Sequence, residues 1–345
     1  MDVDKGLMRK PLKVLVACTR YEYGNPDWGL SYEYRNIYQS LANLFEPVSL
    51  FDFMALGKEM SREAMNRRLL EQVAEERPSW VVVAPLRDEL IPEIVGELRH
   101  HTITTGYLFD DMWRLEFART WAKYLTYVTT SDVNGVSKHQ DAGYQNVIFS
   151  PFGYNHRLYN KLEQVDKKYD VTFVGQSHPY RAWVLKRLRR AGITVPTWGT
   201  RWRAARRLTH EEMVQVFNQS RINLNLSNTV SWDLRYLLSS PRALYDTLQS
   251  PKTHEQVKGR HFEICGCGGF QLSYYVEGLE RAYEIGEEIA IYGDVDDLVR
   301  KIRYYLRHDD ERETIAARGY ERSLAHHTME KRLLALARTC RVIPS

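Results

Sequence analysis

The sequence predicts an α/β protein made of two doubly wound, Rossmann-like domains. Short apolar runs typical of buried strands alternate with amphipathic helical segments, from the run that begins at Leu12 to the one that ends at Ser150. A second series of the same kind begins at Tyr169. Regular alternation of strand and helix favours parallel strands joined by crossover helices. The chain has 345 residues, more than one hydrophobic core usually organises.

Changes of composition along the chain predict the domain boundaries. We expect an N-terminal domain over residues 1–150 and a linker over 151–168, because this polar stretch opens with Pro151 and Gly153. The C-terminal domain is expected over residues 169–326. The last segment, 327–345, is an amphipathic helix.

The composition predicts a cytoplasmic protein. No run approaches the roughly 18 apolar residues of a membrane span, and the first residues lack the apolar core of a signal peptide. Four cysteines fit a reducing compartment, since Cys265 and Cys267 have neither redox nor zinc spacing. We expect all four to be reduced and structural.

Positive charge is concentrated in one stretch of a chain whose net charge is only +4. Residues 171–210 contain no Asp or Glu but nine cations: Arg181, Lys186, Arg187, Arg189, Arg190, Arg201, Arg203, Arg206 and Arg207. A solvated helix surface explains such a run. Two functional explanations are attraction of an anionic donor substrate and peripheral contact with acidic lipid. A nucleic acid is less favoured, because its binders usually carry a more basic domain.

The stretch from Glu255 to Leu272 combines two carboxylates, two cations and a glycine cluster. A helix that starts near Val257 would direct backbone N–H groups and the charges of Lys258 and Arg260 at a phosphate. An ionised Glu263 one turn later only accepts hydrogen bonds and therefore suits the two hydroxyls of a ribose. The glycines after Cys265 end the helix before a strand. Together these features indicate a nucleoside diphosphate ligand, although an amphipathic helix with solvated charges has the same spacing.

Other candidate site residues follow predicted strands. Asp110 and Asp111 come directly after the strand expected over 102–109, where a catalytic base would stand in an open α/β sheet; a helix cap is the alternative for at least one of them. Gly175 ends a strand and would allow close approach of a ligand, or form a plain turn. Residues 228–253 break the alternation and are interpreted as a lid, an acceptor-facing loop or an inserted helix. Asp294 and Asp296 imitate a metal-binding pair, but their position before a helix favours capping.

Several segments together resemble the CgeB-type glycosyltransferases of the broad GT-B group. The resemblance spans nearly the whole chain and rests on segments 110–114 (DDMWR), 169–176 (YDVTFVGQ), 220–225 (SRINLN), 258–263 (KGRHFE), 302–306 (IRYYL) and 326–328 (HHT). The spacing of Glu255 and Glu263, with seven residues between them, also resembles the donor-site motif of retaining GT-B enzymes.

The resemblance implies two Rossmann-like domains facing a central cleft, with the acceptor on the first, the nucleotide-sugar on the second, and the final helix returning toward the first. If the reaction inverts the configuration of the sugar, the resemblance implies that Asp110 or Asp111 is the catalytic base. The paired glutamates favour a retaining reaction instead. The donor-binding residues that the resemblance implies are Gly175, Gln176, Arg181, Asn225, Ser227, Glu255, Lys258, Arg260 and Glu263. Neither a metal ion nor a cofactor is expected, because the donor itself is the substrate.

We therefore expect a glycosyltransferase that moves a sugar from a nucleotide-sugar, such as a UDP- or GDP-sugar, to a hydroxyl of a surface polysaccharide, a glycolipid or a protein. A non-catalytic nucleotide-sugar or glycan-binding protein on the same fold is the alternative. The hypothesis of a nucleic-acid-modifying transferase rests on the arginine-rich stretch alone. The sugar, the nucleobase, the acceptor and the oligomeric state stay open.

Overall fold

The chain folds into two units, each built on one parallel β-sheet. The computed structural model describes residues 10–203, 206–229, 231–250, 252 and 254–344. One unit comprises Met1–Asn155 and Met329–Ser345, and the other comprises His156–Thr328. The predicted α/β fold class is confirmed.

The sheet of the first unit has six strands in the order β2-β1-β3-β4-β5-β6. All neighbouring strands are parallel. Their bounds are β1 Lys10–Ala17, β2 Phe45–Phe51, β3 Trp80–Val83, β4 Ile103–Gly106, β5 Tyr127–Thr130 and β6 Val147–Phe149.

Helices cover both faces of this sheet. They are α1 Gln39–Leu44, α2 Phe53–Leu56, α3 Arg62–Glu76, α4 Pro92–Val95, α5 Leu115–Tyr124 and α6 Gly135–Gln140, with a π-helix at Tyr34–Tyr38 and 3₁₀ turns at Glu22–Gly24, Pro26–Trp28 and Gly96–His100. Successive side chains of β1 alternate between two apolar clusters. Leu15 packs with Leu69 and Trp121 of α3 and α5, whereas Val14 packs with Leu41 of α1 on the other face.

The second unit has a five-stranded sheet in the order β11-β10-β9-β7-β8, again with parallel neighbours throughout. Its strands are β7 Tyr169–Val174, β8 Thr197–Trp198, β9 Ser220–Asn225, β10 Gln271–Tyr274 and β11 Ala290–Tyr292. Its helices are α7 Pro179–Arg190, α8 His210–Gln219, α9 Leu234–Leu237, α10 Pro241–Leu248, α11 Gly259–Gly266, α12 Val295–Tyr305 and α13 Asp309–His326, with a 3₁₀ turn at Leu279–Arg281.

The irregular segment 228–253 forms the two short helices α9 and α10 within its described part, which agrees with the inserted-helix interpretation. Tyr236, Leu237 and Ala243 anchor these helices in the core of the second unit. Other large apolar side chains of the same segment face solvent, since Trp232 is 65% and Leu238 is 85% exposed.

The last helix, α14 (Met329–Thr339), belongs to the first unit although it follows the second in sequence. Its side chains Met329, Leu333 and Leu336 are buried against β1, β3 and α1. The Met329 N–H donates to the carbonyl oxygen of Tyr154 at 2.8 Å. The helix thus completes one face of the first sheet.

All four cysteines, Cys18, Cys265, Cys267 and Cys340, are buried and unbridged, as the sequence predicts. None of the helices in the described part of the chain is long and apolar enough to cross a membrane.

The packing of α14 predicts that Leu333→Ala destabilises the first unit. Leu333 is fully buried, so truncation removes apolar contacts and leaves a cavity that costs about 2–5 kcal/mol of unfolding free energy. Differential scanning calorimetry should show a lower transition temperature. Leu334→Ala, at the half-buried neighbouring position, is the matched control and should cost less. Equal, small effects of both variants would show that α14 is not part of the core.

Candidate functional site

The candidate site lies at the carboxyl edge of the second sheet. Strands β7, β9, β10 and β11 are parallel, so the segments that follow them meet at the same edge. Arg181 from the first turn of α7 connects two of these segments. Its guanidinium donates to the carbonyl oxygens of Gln176 (3.0 Å), Ser227 (3.3 Å) and Asn228 (3.3 Å). Burial lowers the pKa of Arg181 to about 10, while nearby Glu255 raises it, so the side chain is charged at neutral pH.

The loop after β7 is held by a second loop. The Gly175 carbonyl oxygen accepts from Trp202 Nε1 at 2.8 Å. Gly199, with φ of 135°, approaches so closely that a Cβ on it would lie 2.2 Å from that oxygen. With its amide oxygen oriented toward Arg201, Gln176 accepts from Arg201 Nε (2.9 Å) and Nη1 (3.2 Å). Gly175 and Gln176 therefore lie at the carboxyl edge, as predicted, and their neighbours in the structure are protein groups.

Four cations surround the start of α7. The pKa of His178, the residue before this 12-residue helix, falls to about 4, first because of burial and then because of the positive charges of Arg181, Lys252, Arg201 and Lys258. His178 is therefore neutral at pH 7 and adds no charge of its own to this group. We call Arg181, Arg201, Lys252 and Lys258 the cationic cluster. Together with the N–H groups of the first turn of α7, it forms an anion-binding arrangement.

The sequence analysis missed two members of this cluster as site residues. Arg201 stands out in sequence only as part of the arginine-rich stretch, and Lys252 lies in the irregular segment. The absence of Asp and Glu from residues 171–210 is the one sequence signal that indicated Arg201.

Buried polar groups without hydrogen-bond partners lie at the same edge. Asn225 Nδ2, Ser227 Oγ and Asn228 Oδ1 after β9, and Tyr292 Oη at the end of β11, are buried and make no hydrogen bond to the described residues. A buried polar group left unpaired costs about 1–3 kcal/mol, so such groups indicate a ligand or water that pairs with them. Asn225 and Ser227 were predicted for the site, whereas Asn228 and Tyr292 were not.

The predicted helix around Glu263 is confirmed as α11. Glu263 is buried, and its Oε2 pairs with Arg260 Nη1 at 2.8 Å. The Arg260 guanidinium also lies over the ring of Phe217, 5.0 Å from its centroid. The two side chains predicted to bind ribose and phosphate therefore bind each other, which leaves Glu263 Oε1 as the second acceptor of that carboxylate.

His261 fixes the start of α11. Its Nδ1 accepts from the Lys258 N–H at 3.0 Å, in the position of a capping-box side chain. The ring is fully buried, and its Nε2 makes no hydrogen bond to the described residues. Burial lowers the pKa of His261 to about 4.

Glu255 faces a different part of the edge from Glu263. Its Oε1 accepts from the backbone N–H (2.8 Å) and the hydroxyl (3.3 Å) of Thr229. Its Oε2 is 4.0 Å from Lys252 Nζ. Glu255 lines a cavity of about 430 Å³ with Tyr180, Asn228, Ser231, Trp232, Asp233, Lys252, His254, Tyr274, Tyr275, Val276, Glu277, Gly293 and Asp294. Glu263 is not among the lining residues.

The capping interpretation of Asp294 is confirmed. Its Oδ1 accepts from the N–H groups of Asp296 (2.9 Å) and Asp297 (2.8 Å) at the start of α12. Asp296 in turn pairs with Arg235. Both aspartates therefore have structural partners.

Asp110 and Asp111 lie in the first unit, between β4 and α5. The helix begins at Leu115, later than the sequence indicated, so neither residue heads it directly. Asp111 is fully buried, and its Oδ2 is 3.8 Å from His139 Nε2. Asp110 is half-buried and has a positive φ of 53°. Of the two predicted catalytic carboxylates, Asp110 is the one a solvent-borne substrate can reach.

Sequence comparison confirms the resemblance inferred from the motifs. Residues 181–338 match a family described as glycosyl transferase-like. The spore protein CgeB of Bacillus subtilis (strain 168) is 22% identical over 241 residues, which cover 65% of this chain and 71% of CgeB. The predicted similarity to CgeB is thus confirmed.

Structure comparison shows that the fold is GT-B, as predicted. Sucrose-phosphate synthase from Thermosynechococcus elongatus superposes with a TM-score of 0.62 at 12% identity, covering 96% of this chain and 98% of that one. HepE of Anabaena, crystallised with UDP and glucose, superposes with a TM-score of 0.61 at 11% identity, covering 96% and 100% of the two chains.

The low pKa of His261 predicts a pH dependence of stability. The pKa in the folded chain, about 4, is below the unfolded value of about 6.5, so between these pH values the unfolded chain binds more protons. Stability is then lost as pH falls through this window, by up to about 3 kcal/mol from this residue. His261→Gln keeps an acceptor for the Lys258 N–H but cannot titrate, so its unfolding free energy should fall less steeply.

Chemical denaturation at a series of pH values between 7 and 4 measures this slope. His178 acts in the same direction, so the variant should keep part of the dependence. His308→Gln, at an exposed histidine, is the control and should follow the parent protein. Identical slopes for the His261→Gln variant and the parent would show that His261 is not the neutral, buried cap described above.

Proposed function

We propose that this GT-B protein, related to CgeB, is a glycosyltransferase that moves a sugar from a nucleoside diphosphate sugar to a hydroxyl acceptor. One observation carries the proposal. The cationic cluster and the unpartnered buried groups meet at the carboxyl edge of the second sheet, and all of these residues lie within 181–338, the segment that matches the glycosyl transferase-like family.

The diphosphate is assigned to the cationic cluster. Two phosphates need several donors and positive charges at fixed positions, and Arg181 is fixed by three backbone carbonyls. Lys258 and Lys252 add ammonium groups, which carry three donors each. Arg260, predicted for the phosphates, pairs with Glu263 and is assigned to positioning that carboxylate.

The ribose is assigned to Glu263. Its Oε1 can accept from a ribose hydroxyl while Oε2 stays paired with Arg260. The unpartnered groups of Asn225 and Ser227 lie on the neighbouring strand end and supply further polar contacts.

The same cations would support the chemical step. When the sugar–phosphate bond breaks, negative charge develops on the leaving nucleoside diphosphate, and fixed cations and N–H groups stabilise it by several kcal/mol. This role makes a divalent cation dispensable, so we propose a metal-independent reaction with no further cofactor.

The nucleobase is proposed to be uracil. HepE has been crystallised with UDP and glucose, and the pneumococcal O-GlcNAc transferase GtfA with UDP and GlcNAc. GtfA superposes with a TM-score of 0.51, covering 77% of this chain and 57% of that one. For the acceptor, a polysaccharide, glycolipid or protein hydroxyl remains our expectation.

Asp110 is proposed as the base that deprotonates the acceptor hydroxyl. It is half-buried at the carboxyl end of β4, whereas Asp111 is enclosed beside His139. This assignment applies to an inverting reaction. A retaining reaction, toward which the paired glutamates lean, needs no base at this position.

Donor binding is tested by a thermal-shift and calorimetry screen of UDP, GDP, dTDP and CMP with their common sugar conjugates. A ligand at a hundred times its dissociation constant stabilises by about 2.7 kcal/mol, so a donor should be visible. Glu263→Gln and Lys252→Ala should each weaken binding about 10- to 100-fold, since each removes a charged partner. Lys186→Ala, at an exposed position of α7, should bind like the parent protein. If none of the nucleotides or their sugar conjugates bound, the proposed function would be contradicted.

Asp110→Asn is expected to lower kcat about 100-fold or more while donor affinity is unchanged, because a general base typically contributes that much. Asn tolerates positive φ, so the backbone should persist. Turnover is followed as nucleoside diphosphate released from the bound donor. Asp111→Asn is the comparison and should mainly lower the melting temperature, since it disturbs a buried pair.

Unchanged turnover in the Asp110→Asn protein would remove the base assignment and favour retention. Donor binding without release of nucleoside diphosphate by the parent protein would instead favour a non-catalytic nucleotide-sugar-binding protein.

A further inference from the structure

We propose that the second unit binds a lipid surface that carries negative charge. An apolar surface on α9 and α10 would enter the bilayer, and a basic surface on α7 and α12 beside it would meet the lipid phosphates. None of the side chains assigned to the donor belongs to these surfaces, so the proposal goes beyond the proposed function and can be tested apart from it.

Exposed hydrophobic side chains are concentrated in α9, α10 and the residues around them. Twelve large hydrophobic side chains are exposed in the described part of the chain, and six of them lie within residues 232–248. A contiguous group of such side chains marks a site of contact with a partner or a membrane. The apolar surface comprises Trp232, Leu234, Leu238, Leu244, Tyr245 and Leu248, each 43–85% exposed.

Helical spacing explains why these side chains face outward. In α10, Ala243 and Thr247 are four residues apart and buried, while Leu244 and Leu248 have the same spacing and are exposed. The two exposed leucines of α9 repeat this spacing of four residues. Each helix therefore has one face anchored in the second unit and another apolar face that the described residues leave exposed.

The basic surface begins where α9 packs against α7 and α12. The ring of Trp183 on α7 contacts that of Tyr236 on α9, with centroids 5.7 Å apart. One turn later, Arg187 lies 3.9 Å from Asp296 at the start of α12. Arg235 of α9 pairs with the same carboxylate. The apolar surface and the cations of α7 are thus parts of one continuous face.

Further cations extend this face along α7 and α12. Lys186 and Arg190 follow Trp183 and Arg187 by three residues, so the four side chains are neighbours on the helix. Both cations are exposed, and neither pairs with a carboxylate of the described residues. Arg303 of α12 donates to the carbonyl oxygen of the residue after α7 at 2.7 Å. The basic surface comprises Lys186, Arg187, Arg190, Arg300 and Arg303.

The carboxylates on this face already have cationic partners. Asp246 of α10 is 3.5 Å from Arg242, and Asp297 of α12 is 3.3 Å from Arg300 and 3.6 Å from Lys301. Helices α7 and α12 together contain eight Lys or Arg and two Asp. The face consequently keeps a positive charge after these pairs are formed.

An anionic bilayer matches both surfaces at once. Its headgroups attract the cations, and its hydrocarbon receives the leucines. Trp232 and Tyr245 suit the boundary between them, since each ring is apolar and carries one polar group. A two-fold contact between copies through the apolar surface would bring two basic surfaces together. A nucleic acid offers phosphates but no hydrocarbon for four leucines.

Flotation of the full chain with vesicles tests the proposal. The vesicles contain phosphatidylcholine alone, or equal parts of phosphatidylcholine and phosphatidylglycerol. The protein should bind the anionic vesicles at least about tenfold more tightly, because each Lys or Arg near an anionic surface strengthens binding. Added salt should weaken this binding. No binding to the anionic vesicles, or equal binding to both kinds, would overturn the proposal.

The basic surface is tested by a double variant. Lys186→Ala combined with Arg190→Ala should weaken binding to the anionic vesicles about 10- to 30-fold. Arg67→Ala combined with Arg338→Ala is the matched control, since it removes the same charge from exposed positions of α3 and α14. The control should bind like the parent protein. Equal losses in both double variants would mean that net charge alone attracts the protein, against the assignment to this face.

The apolar surface is tested by Leu244→Ser combined with Leu248→Ser. Binding should weaken at least about tenfold, because two leucines no longer enter the hydrocarbon. Both positions are exposed, so the transition temperature in calorimetry should stay that of the parent protein. Trp28→Ser, at an exposed aromatic position of the first unit, is the control and should leave the affinity unchanged.

Two results of the leucine variant would refute the proposal. Unchanged vesicle binding would show that the apolar surface does not enter the bilayer. If sedimentation equilibrium without vesicles showed a dimeric parent protein that this variant converts to a monomer, the apolar surface would instead be a contact between two copies of the chain.

Discussion

The guanidinium of Arg181 is the contact on which the candidate site depends. It donates to carbonyl oxygens after β7 and after β9, two neighbouring strands, and so fixes their carboxyl ends relative to α7. A buried cation is costly unless its donors find acceptors, and three carbonyl oxygens accept from three of its five N–H groups here. The same contacts hold a positive charge at the one edge of a parallel sheet where ligands collect. Support of the fold and attraction of an anion thus come from one side chain.

Close approach of two loops extends this arrangement. Gly199 lies against the Gly175 carbonyl oxygen in a space and at a φ that only glycine accepts. The chain can therefore return from β8 to the end of β7, where Trp202 holds Gly175 and Arg201 reaches Gln176. Glycine at 175 is explained by this packing, since a Cβ there would lie 2.7 Å from Phe173 Cζ. Its contribution to a ligand site is consequently indirect, through the position of Arg201.

Local sequence patterns predicted the parts of the structure that local physics decides. The alternation of apolar strands and amphipathic helices gave the parallel sheets, and the charged stretch before the glycines near 268 was correctly predicted as a helix followed by a strand. Single-residue effects shifted other elements. Between β3 and β4, for example, Pro92 begins a four-residue helix that continues as a 3₁₀ turn. Strand β8, Thr197–Trp198, has only two residues.

Contacts between distant segments were beyond the reach of such patterns. Lys252 and Tyr292 carry no local signal of a site, because only the meeting of four strand ends brings them near Arg181. The pairing of Arg260 with Glu263 was available in principle from their i,i+3 spacing. The sequence analysis assigned each of them a ligand group separately and so overlooked their mutual contact. Spacing identified the residues, but the roles depend on which partner each side chain already has.

The two regions of the site differ in charge, and this difference would orient a ligand. The cationic cluster meets the cavity of about 430 Å³ at Lys252 and Glu255, whose charged groups are 4.0 Å apart. A molecule with one anionic end and one hydroxyl-rich end is stabilised in one orientation and opposed in the reverse one, since reversal would bring phosphate to carboxylates and hydroxyls to cations. Because like-charge contacts cost several kcal/mol, repulsion in the reverse orientation would contribute to selecting the orientation, as attraction in the favoured one does. His178 stays neutral at pH 7, because burial and the surrounding positive charges lower its pKa to about 4, and a second proton there would cost fold stability.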